Sequence, residues 1–428
     1  LTNKHENSLP YSKLFTMSTH AIMFDQVISR GCGIDVHKEN VVVTIRGDGI
    51  KEECRTFQTF TSDLLSCNDW LMEQKITHIA MESTGVYWKP VFNILEKDFN
   101  IILVNARHIK NVPGHKTDRK DSAWITKLLL SGLLKGSFIP PAPIRNIREL
   151  YRYKRKLVQQ GVSERNRLQK VLEDANIKLA SVVTDVFGKT GTLIINAVIE
   201  GITDPNLLAS YALGSLVKKR QLLAHALNGR ITVHHRYMLG ASMQVLADID
   251  QMIAKVDNKM SEYLQDFTGE ISLLQTIPGV GLQSAIAILA EIGPDMSVFP
   301  SSKHLASWCG ISPGNNESAG KNRSGRTTQG DKFLKSALVE IAWHACRNNA
   351  KDSFLKRKFI SIAMRRGKKK AIVAVGHKVL IAVYYILKNR EPYREPDNNA
   401  YMIKRKQALI KRHVRRLHEL GIIIPSQF

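Results

Sequence analysis

Between Gly114 and Trp124 the chain reads GHKTDRKDSAW, with Asp118 and Asp121 three residues apart among Lys116, Arg119 and Lys120. A leucine-rich helical run follows at once (Leu128, Leu129, Leu130). A spacing of three puts both carboxylates on one side of a helix's first turn. Two more acids end or interrupt apolar stretches, Asp35 in Gly33-Ile34-Asp35-Val36 and Glu82 after Thr77 to Met81. Four carboxylates gathered at one edge suit two Mg²⁺ ions about 4 Å apart, which clamp the attacking and leaving oxygens of a phosphodiester. Each acid also has a plainer reading. Asp35 can serve a turn, Glu82 before Ser83-Thr84-Gly85 can cap, Asp118 can be an N-cap and Asp121 can complement the helix dipole.

A second stretch carries nucleophiles. Residues 314–331, GNNESAGKNRSGRTTQGD, lack apolar periodicity and read as a loop. Ser318 and Ser324 both stand there near Lys321, Arg323 and Arg326, cations able to hold a scissile phosphate beside an attacking hydroxyl. No adjacent general base selects between the two serines.

The elements that must position the acids follow in order. Gly33 to Val36, Asn40 to Arg46 and Glu53 to Thr59 read as strands, with Gly47-Asp48-Gly49 as a hairpin turn. Ser62 to Gln74 reads as helix, Thr77 to Met81 as strand, Tyr87 to Phe99 as helix and Ile101 to Val104 as strand, before the helix that Asp118 opens. That is the order of an RNase H-like (RuvC-like) α/β domain, a mixed sheet with helices on its faces. It brings Asp35, Glu82, Asp118 and Asp121 to one sheet edge. Residues 1–28 read as a disordered leader, 29–143 as this domain, and Pro140, Pro141 and Pro143 close it.

Residues 144–270 read as a helical middle region. Ile147, Leu150, Leu157, Leu168, Leu172 and Ala175 recur near heptad spacing. So do Met243, Leu246, Ile249, Met252 or Ile253, Val256, Met260, Tyr263 and Phe267. Two long helices around an insert suggest an antiparallel coiled coil that serves oligomerisation. Residues 271–390 read as a mostly helical domain. Ile277-Pro278-Gly279-Val280-Gly281 is a helix-hairpin-helix signature whose glycines, Gly279 and Gly281, let backbone N–H groups approach a phosphate. Arg365, Arg366, Lys368, Lys369 and Lys370 form a basic cluster, and residues 391–428 a basic tail.

Composition narrows the partner. Lys and Arg outnumber Asp and Glu by 62 to 38, a formal charge of +24. From Lys351 onward the count is 20 to 5. This favours a polyanion, and nucleic acid over a membrane surface, because no run of about 18 apolar residues is apparent. The five cysteines have no CxxC pair and read as reduced, buried thiols of a cytoplasmic protein.

Five segments, GIDVHKENVVVTI, MESTGVYWKP, NARHIKNVPGHKTDRKDSAWI, TIPGVG and the Ser-Ala-Gly…Gly-Arg loop, occur in the order found in one family. The chain resembles the insertion-sequence 110 family of transposases, related to pilin-gene inversion recombinases, over roughly residues 31 to 390. The resemblance implies a DEDD tetrad of Asp35, Glu82, Asp118 and Asp121 holding Mg²⁺, and a serine nucleophile that aligns with Ser318. Glu317, Ala319 and Thr327-Thr328-Gln329 depart from the family pattern, which leaves Ser324 as the alternative. It further implies element-end and target DNA as substrates, a structured noncoding guide RNA, and dimers or tetramers with composite active sites in a bacterial or archaeal cytoplasm. Two other readings fit the residues: a metal-only nuclease of the Holliday-junction-resolving class, and a non-catalytic nucleic-acid-binding scaffold.

Overall fold

The computed structural model describes residues 27–105, 118–314, 317–318, 321–322, 326–347, 353–396 and 398–421. For 118–120, 317–318, 321–322, 398–402, 404–405 and 408 it describes the backbone alone. The leader, apart from its last two residues, lies outside the described residues, as do Lys116, Arg323 and Ser324. The chain divides into two units, Leu1–Ile139 and Pro140–Phe428.

In the first unit β1 (Arg30–Val36) pairs antiparallel with β2 (Asn40–Gly47), which pairs with β3 (Ile50–Gln58). Helix α1 (Thr61–Glu73) returns the chain to β4 (His78–Glu82), parallel to β1, and α2 (Trp88–Leu95) to β5 (Asn100–Val104), parallel to β4. The strand order is β3-β2-β1-β4-β5. This five-stranded mixed sheet agrees with the α/β expectation. Alternation along the strands sorts the two faces. Cys32, Ile34, Val36, Ile79 and Met81 point to the core formed with Leu64, Trp70 and Leu71 of α1 and Val91 and Leu95 of α2. Ala80 and Val104 face the opposite way, against Ile125 and Leu129 of α3 (Asp118–Leu130).

Two glycines of β1 let α3 approach. A Cβ on Gly31 would stand 3.0 Å from Leu129, and one on Gly33 only 2.4 Å from the Ser122 carbonyl oxygen and 2.5 Å from the Thr126 backbone nitrogen. Backbone cannot yield as a side-chain tip can. Gly33→Ala is therefore expected to push α3 off the sheet and cost about 3 kcal/mol, the upper part of the overpacking range. A thermal melt of the variant measures this.

The second unit opens with α4 (Ala142–Asp174), with Pro141 as N-cap and Pro143 in the first turn, positions where the missing N–H costs nothing. Four helices follow, α5 (Leu179–Val182), α6 (Lys189–Ile199), α7 (Pro205–Ser210) and α8 (Arg220–Leu227). They build a core with Leu168, Leu172, Leu239 and Leu246 of the flanking long helices. Helix α9 (Val233–Leu264) then runs back along α4. The pairs Asp174–His235 (2.9 Å), Glu164–Ser242 (2.6 Å) and Lys154–Asp257 (2.6 Å) fix the antiparallel sense. The buried line on α9 is Leu239, Ser242, Leu246, Val256, Met260 and Leu264. Met252 is 39% exposed, and Phe267 lies beyond the helix end in a short 3₁₀ turn. The expected stripe allowed Met252 or Ile253, and Ile253 is the half-buried one; Phe267 is half-buried too, but follows the α-helix, which ends at Leu264.

The remaining helices are α10 (Thr268–Gln275), α11 (Leu282–Ile292), α12 (Ser302–Trp308), α13 (Lys332–Cys346), α14 (Phe354–Arg366), α15 (Lys368–Asn389) and α16 (Asn398–Glu419). Two sequence expectations need correction. The 314–331 loop contains a ribbon, β6 (Glu317–Ser318) with β7 (Lys321–Asn322), strands too short to show a period. The basic tail, whose fold the sequence reading left open, contains a helix, α16. The apparent lack of a spanning-length apolar run also fails, because α15 is long and apolar enough to cross a membrane by length and composition. His377 and Lys378 interrupt its letters without lowering its mean hydropathy much. Its Val375, Val379, Leu380 and Val383 are buried in the second unit, and Gly376 lies against Ile311 and Leu338.

Cysteine burial needs a third correction. Cys32, Cys67, Cys309 and Cys346 are buried, but Cys54 is exposed on β3, an edge strand open on both faces. Burial pushes the Cys67 and Cys309 thiols to about 12 and Cys346 to about 11, and raises Cys32 well above its ordinary value. Thiolate is the reactive form. Near neutral pH, a maleimide should label one thiol quickly in the native protein, and peptide mapping should place it at Cys54.

Candidate active site

The parallel register pairs Ile34 with Met81, so the next residues, Asp35 and Glu82, stand side by side at the C-terminal ends of β1 and β4. Alternation puts Asp35 on the face of Gly33, and Glu82 on the face of Ala80. Both therefore face α3. The helix runs opposite to β1, since Gly31 meets Leu129 and Leu130 while Gly33 meets Ser122 and Thr126. Two further strand residues advance roughly 6.6 Å, which a helix covers in about four residues. Asp35 thus lies level with the first turn of α3, where Asp118 and Asp121 stand at the same spacing from Ser122 and Ile125. Asp118 has only its backbone among the described atoms; Asp121 is half-buried.

Asp35 is 7% exposed, and its Oδ2 lies 3.1 Å from His37 Nε2. The sequence reading passed over His37, although an Asp-x-His pair at a strand end was visible in GIDVHKE. It also missed what holds α3 in place. Thr44 Oγ1 and Ser122 Oγ are 2.7 Å apart, and Thr126 Oγ1 donates to the Thr44 and Ser122 carbonyl oxygens at 3.0 and 2.7 Å. All three hydroxyl residues are buried, and Ser122 directly follows Asp121. Buried hydroxyls with satisfied partners fix one helix position rather than a sliding apolar contact.

The donor chemistry fits a hard divalent cation. Asp35, Glu82 and Asp121 offer carboxylate oxygens on one face, without sulfur, which suits Mg²⁺. Among the described residues no three His, Cys, Asp or Glu side chains are grouped closely enough to hold an ion by themselves. The fourth carboxylate of the expected set, Asp118, stands outside that statement. Arg119 and Lys120 share the first turn of α3, with their side chains outside the described residues.

In the second unit Ser318 pairs with Lys321, and Glu317 with Asn322, so Ser318 ends the first strand of a ribbon directly opposite Lys321. Its base is clasped. Pro313 bridges Thr327, and the Gly314 N–H donates to the Arg326 carbonyl oxygen at 2.9 Å. Lys335 Nζ donates to the Gly310 carbonyl oxygen (2.9 Å) and Thr327 Oγ1 (2.7 Å). Asp331 caps α13 by accepting from the Leu334 N–H at 2.7 Å. It also accepts from Arg152 of α4 at 2.9 Å, and that guanidinium makes a two-bond fork to Glu291 of α11, at 2.9 and 2.6 Å. Burial raises the Glu291 carboxyl and the fork partly offsets this. The Arg152 ring contact with Phe333 is 4.5 Å. The sequence reading did not anticipate this network, whose members are far apart in the chain.

Gly279 has φ +89, and a Cβ there would strike the Ala345 nitrogen at 2.7 Å and the Ile341 oxygen at 2.8 Å. It lets the turn between α10 and α11 lie on α13. Gly281, the N-cap of α11, faces open space. The turn lines an open cleft of about 480 Å³ with Ser284 and His344. Arg326, Arg365, Arg366, Lys368, Lys369 and Lys370 are exposed. The three lysines occupy the first turn of α15, where positive charge opposes the helix dipole. Helix stability does not favour them there, whereas binding an anion does.

Comparison with known proteins gives consistent matches. Residues 32–177 match the IS110 DEDD transposase family, and residues 271–356 the transposase IS116/IS110/IS902 family. The pilin gene-inverting protein of Moraxella bovis is 35% identical over 126 residues, 28% of this chain and 38% of that protein. The transposase for insertion sequence element IS1111A of Coxiella burnetii is 21% identical over 325 residues, 75% of this chain and 80% of that protein. A transposase of Sinorhizobium fredii, y4pF/y4sB, described as putative, is 29% identical over 130 residues, 30% of this chain and 33% of that protein. The chain thus spans under two fifths of the pilin gene-inverting protein.

Proposed function

The chain belongs to the IS116/IS110/IS902 family of DNA transposases, and we propose that it exchanges DNA strands at the ends of its own element through a covalent bond to Ser318. The observation that carries this reading is the pairing of Asp35 with Glu82 at adjacent strand ends, facing the acidic first turn of α3. We read the first unit as RNase H-like, and the second as a coiled-coil region (144–270), a transposase domain (271–390) and a basic tail (391–428).

In this reading the Ser318 Oγ attacks phosphorus, a P–Oγ bond forms and the P–O3′ bond breaks. The serine proton departs and the 3′ oxygen leaves as a hydroxyl. A second strand's 3′ hydroxyl then attacks the phosphoserine, re-forming a phosphodiester and freeing the serine. Asp35, Glu82, Asp118 and Asp121 would hold Mg²⁺, which supplies charge neutralisation at the phosphate and at the leaving oxygen. His37 orients Asp35, and Thr44, Ser122 and Thr126 fix the helix that carries the other two acids. Lys321 and Arg326 hold the phosphate charge near the serine. The exposed cations of α14 and α15 hold nucleic-acid backbone by counterion release.

The family resemblance supplies the finer parts: a guide RNA that selects sites by base pairing, and a dimer or tetramer in which one subunit's acids serve another's serine. Exposed apolar residues on the long helix pair, Tyr153, Val158, Val162 and Val245, support further helices docking there.

Trapping tests the proposal. The protein is incubated with Mg²⁺, its RNA and labelled junction DNA, then denatured. A protein–DNA adduct is expected with wild type and Ser324→Ala and not with Ser318→Ala. Cleavage without any adduct would establish metal-only hydrolysis instead.

A further inference from the structure

A cleft of about 380 Å³ opens in the second unit between the start of α14, one side of α15 and residues 391–396. Phe354, Tyr385 and Tyr393 give it aromatic walls. Its polar lining includes Lys378, Asn389 and the pair Glu391–Arg394, whose charges lie 3.4 Å apart.

The walls are braced from behind. Tyr385, 51% exposed, meets Tyr384 edge-on with ring centroids 5.3 Å apart. Tyr384 is buried and its hydroxyl donates to the Phe299 carbonyl oxygen at 3.1 Å. The outer segment is tied down on both sides. The Tyr393 N–H donates to Thr276 Oγ1 at 2.8 Å, and Glu395 accepts from the Phe354 N–H and pairs with Arg357 at 3.7 Å. Binding therefore does not have to order these groups, which is where much of the cost of association otherwise lies.

We propose that this cleft binds one unstacked base of a single-stranded nucleic-acid segment. Aromatic faces accept any base by stacking. An amide and a carboxylate beside them match the donor and acceptor edge of a base, as Asn does for adenine and Glu for the cytosine amino group. Lys378 and Arg394 supply the charge for the adjoining phosphate. The Glu391–Arg394 pair is exposed and so worth little in itself, which leaves both ends free to turn to a ligand. Charge favours this occupant over a peptide or a second copy: the lining carries Lys378 and Arg394 against Glu391, within a stretch from Lys351 that holds 20 Lys and Arg against 5 Asp and Glu. The proposal goes beyond strand exchange and does not rest on Ser318, so a failed trapping experiment leaves it standing.

The test uses the full-length protein and a short oligothymidylate carrying one 2-aminopurine. Binding should quench the 2-aminopurine by stacking. Tyr385→Ala, at a half-exposed position, should weaken binding about tenfold and abolish the quenching. The salt dependence should stay the same, because the phosphate contacts remain. Ala382→Trp, which fills the cleft, should do likewise. A fully abasic strand of the same length, which keeps the phosphates and has no base to stack, should bind wild type and both variants equally. Equal affinity and quenching for wild type and both variants overturns the proposal. So does a change of oligomeric state in the variants with binding unchanged, which would make the cleft a contact between copies.

Discussion

Asp35→Asn is expected to lower strand exchange by at least about 10³-fold while leaving the fold in place. The size follows from the role. A carboxylate that holds a catalytic cation stabilises the developing charge by several kcal/mol, and about 4 kcal/mol is a factor of 10³. Intact folding follows from the surroundings. Asn has the shape of Asp and keeps an acceptor oxygen for His37. Asp35 is buried against His37, and the amide keeps that contact. Glu82→Gln should behave alike. A readout besides turnover separates ligation from structure. If Mg²⁺ binds the acids, it raises the melting temperature of wild type in proportion to RT ln(1 + [Mg²⁺]/Kd). The variant should show no such rise. Exchange within tenfold of wild type in Asp35→Asn would reduce the acid cluster to a structural feature.

The first unit is legible in the sequence because local signals agree there. Gly-Asp-Gly marks the β2–β3 turn, β-branched runs mark the strands, and the helices between β4, β5 and α3 have ordinary lengths. Parallel pairing of β1 with β4 then follows from connection rules, and it brings Asp35 beside Glu82. What stays hidden has no local signature. Thr44 and Ser122 meet across 78 residues of chain. Threonine in a β-branched strand and serine in a helix look unremarkable separately. Gly33 reads as part of a strand, and only the helix packed on it explains why no side chain fits. Cys54 looks like the other cysteines until β3 is seen to be an edge strand. The ribbon that carries Ser318 has strands of two residues, shorter than any period a sequence can display.

Arg152→Ala should destabilise the second unit by about 3 kcal/mol, more than removal of its partner Glu291. The asymmetry lies in what each truncation leaves behind. Glu291 has no exposed side-chain surface, whereas Arg152 is 34% exposed and also bonds Asp331. Without Arg152, a carboxylate is left buried with Arg148 as a weaker partner at 3.4 Å, and an uncompensated buried charge is the costly case. Without Glu291, the guanidinium keeps Asp331 and reaches water, so Glu291→Gln should cost nearer 1 kcal/mol. The double variant should be more stable than Arg152→Ala alone, because the stranded charge is gone. The pH dependence has a definite sign. Burial already raises the Glu291 carboxyl, and loss of Arg152 raises it further. Between the ordinary carboxylate value and that raised value, the folded chain of Arg152→Ala binds more protons than the unfolded chain. Its stability therefore increases as pH falls through that window and decreases as pH rises. Denaturant melts of wild type, both single variants and the double variant at mildly acidic and neutral pH measure all of this. Equal costs for the two single variants, with no recovery in acid, would show that Glu291 is not stranded and that Arg152 acts mainly through its packing on Phe333. Because Asp331 caps α13, whose Lys335 holds Thr327 at the base of the Ser318 ribbon, the same variants should also loosen the ribbon, so adduct yield should fall in Arg152→Ala more than in Glu291→Gln.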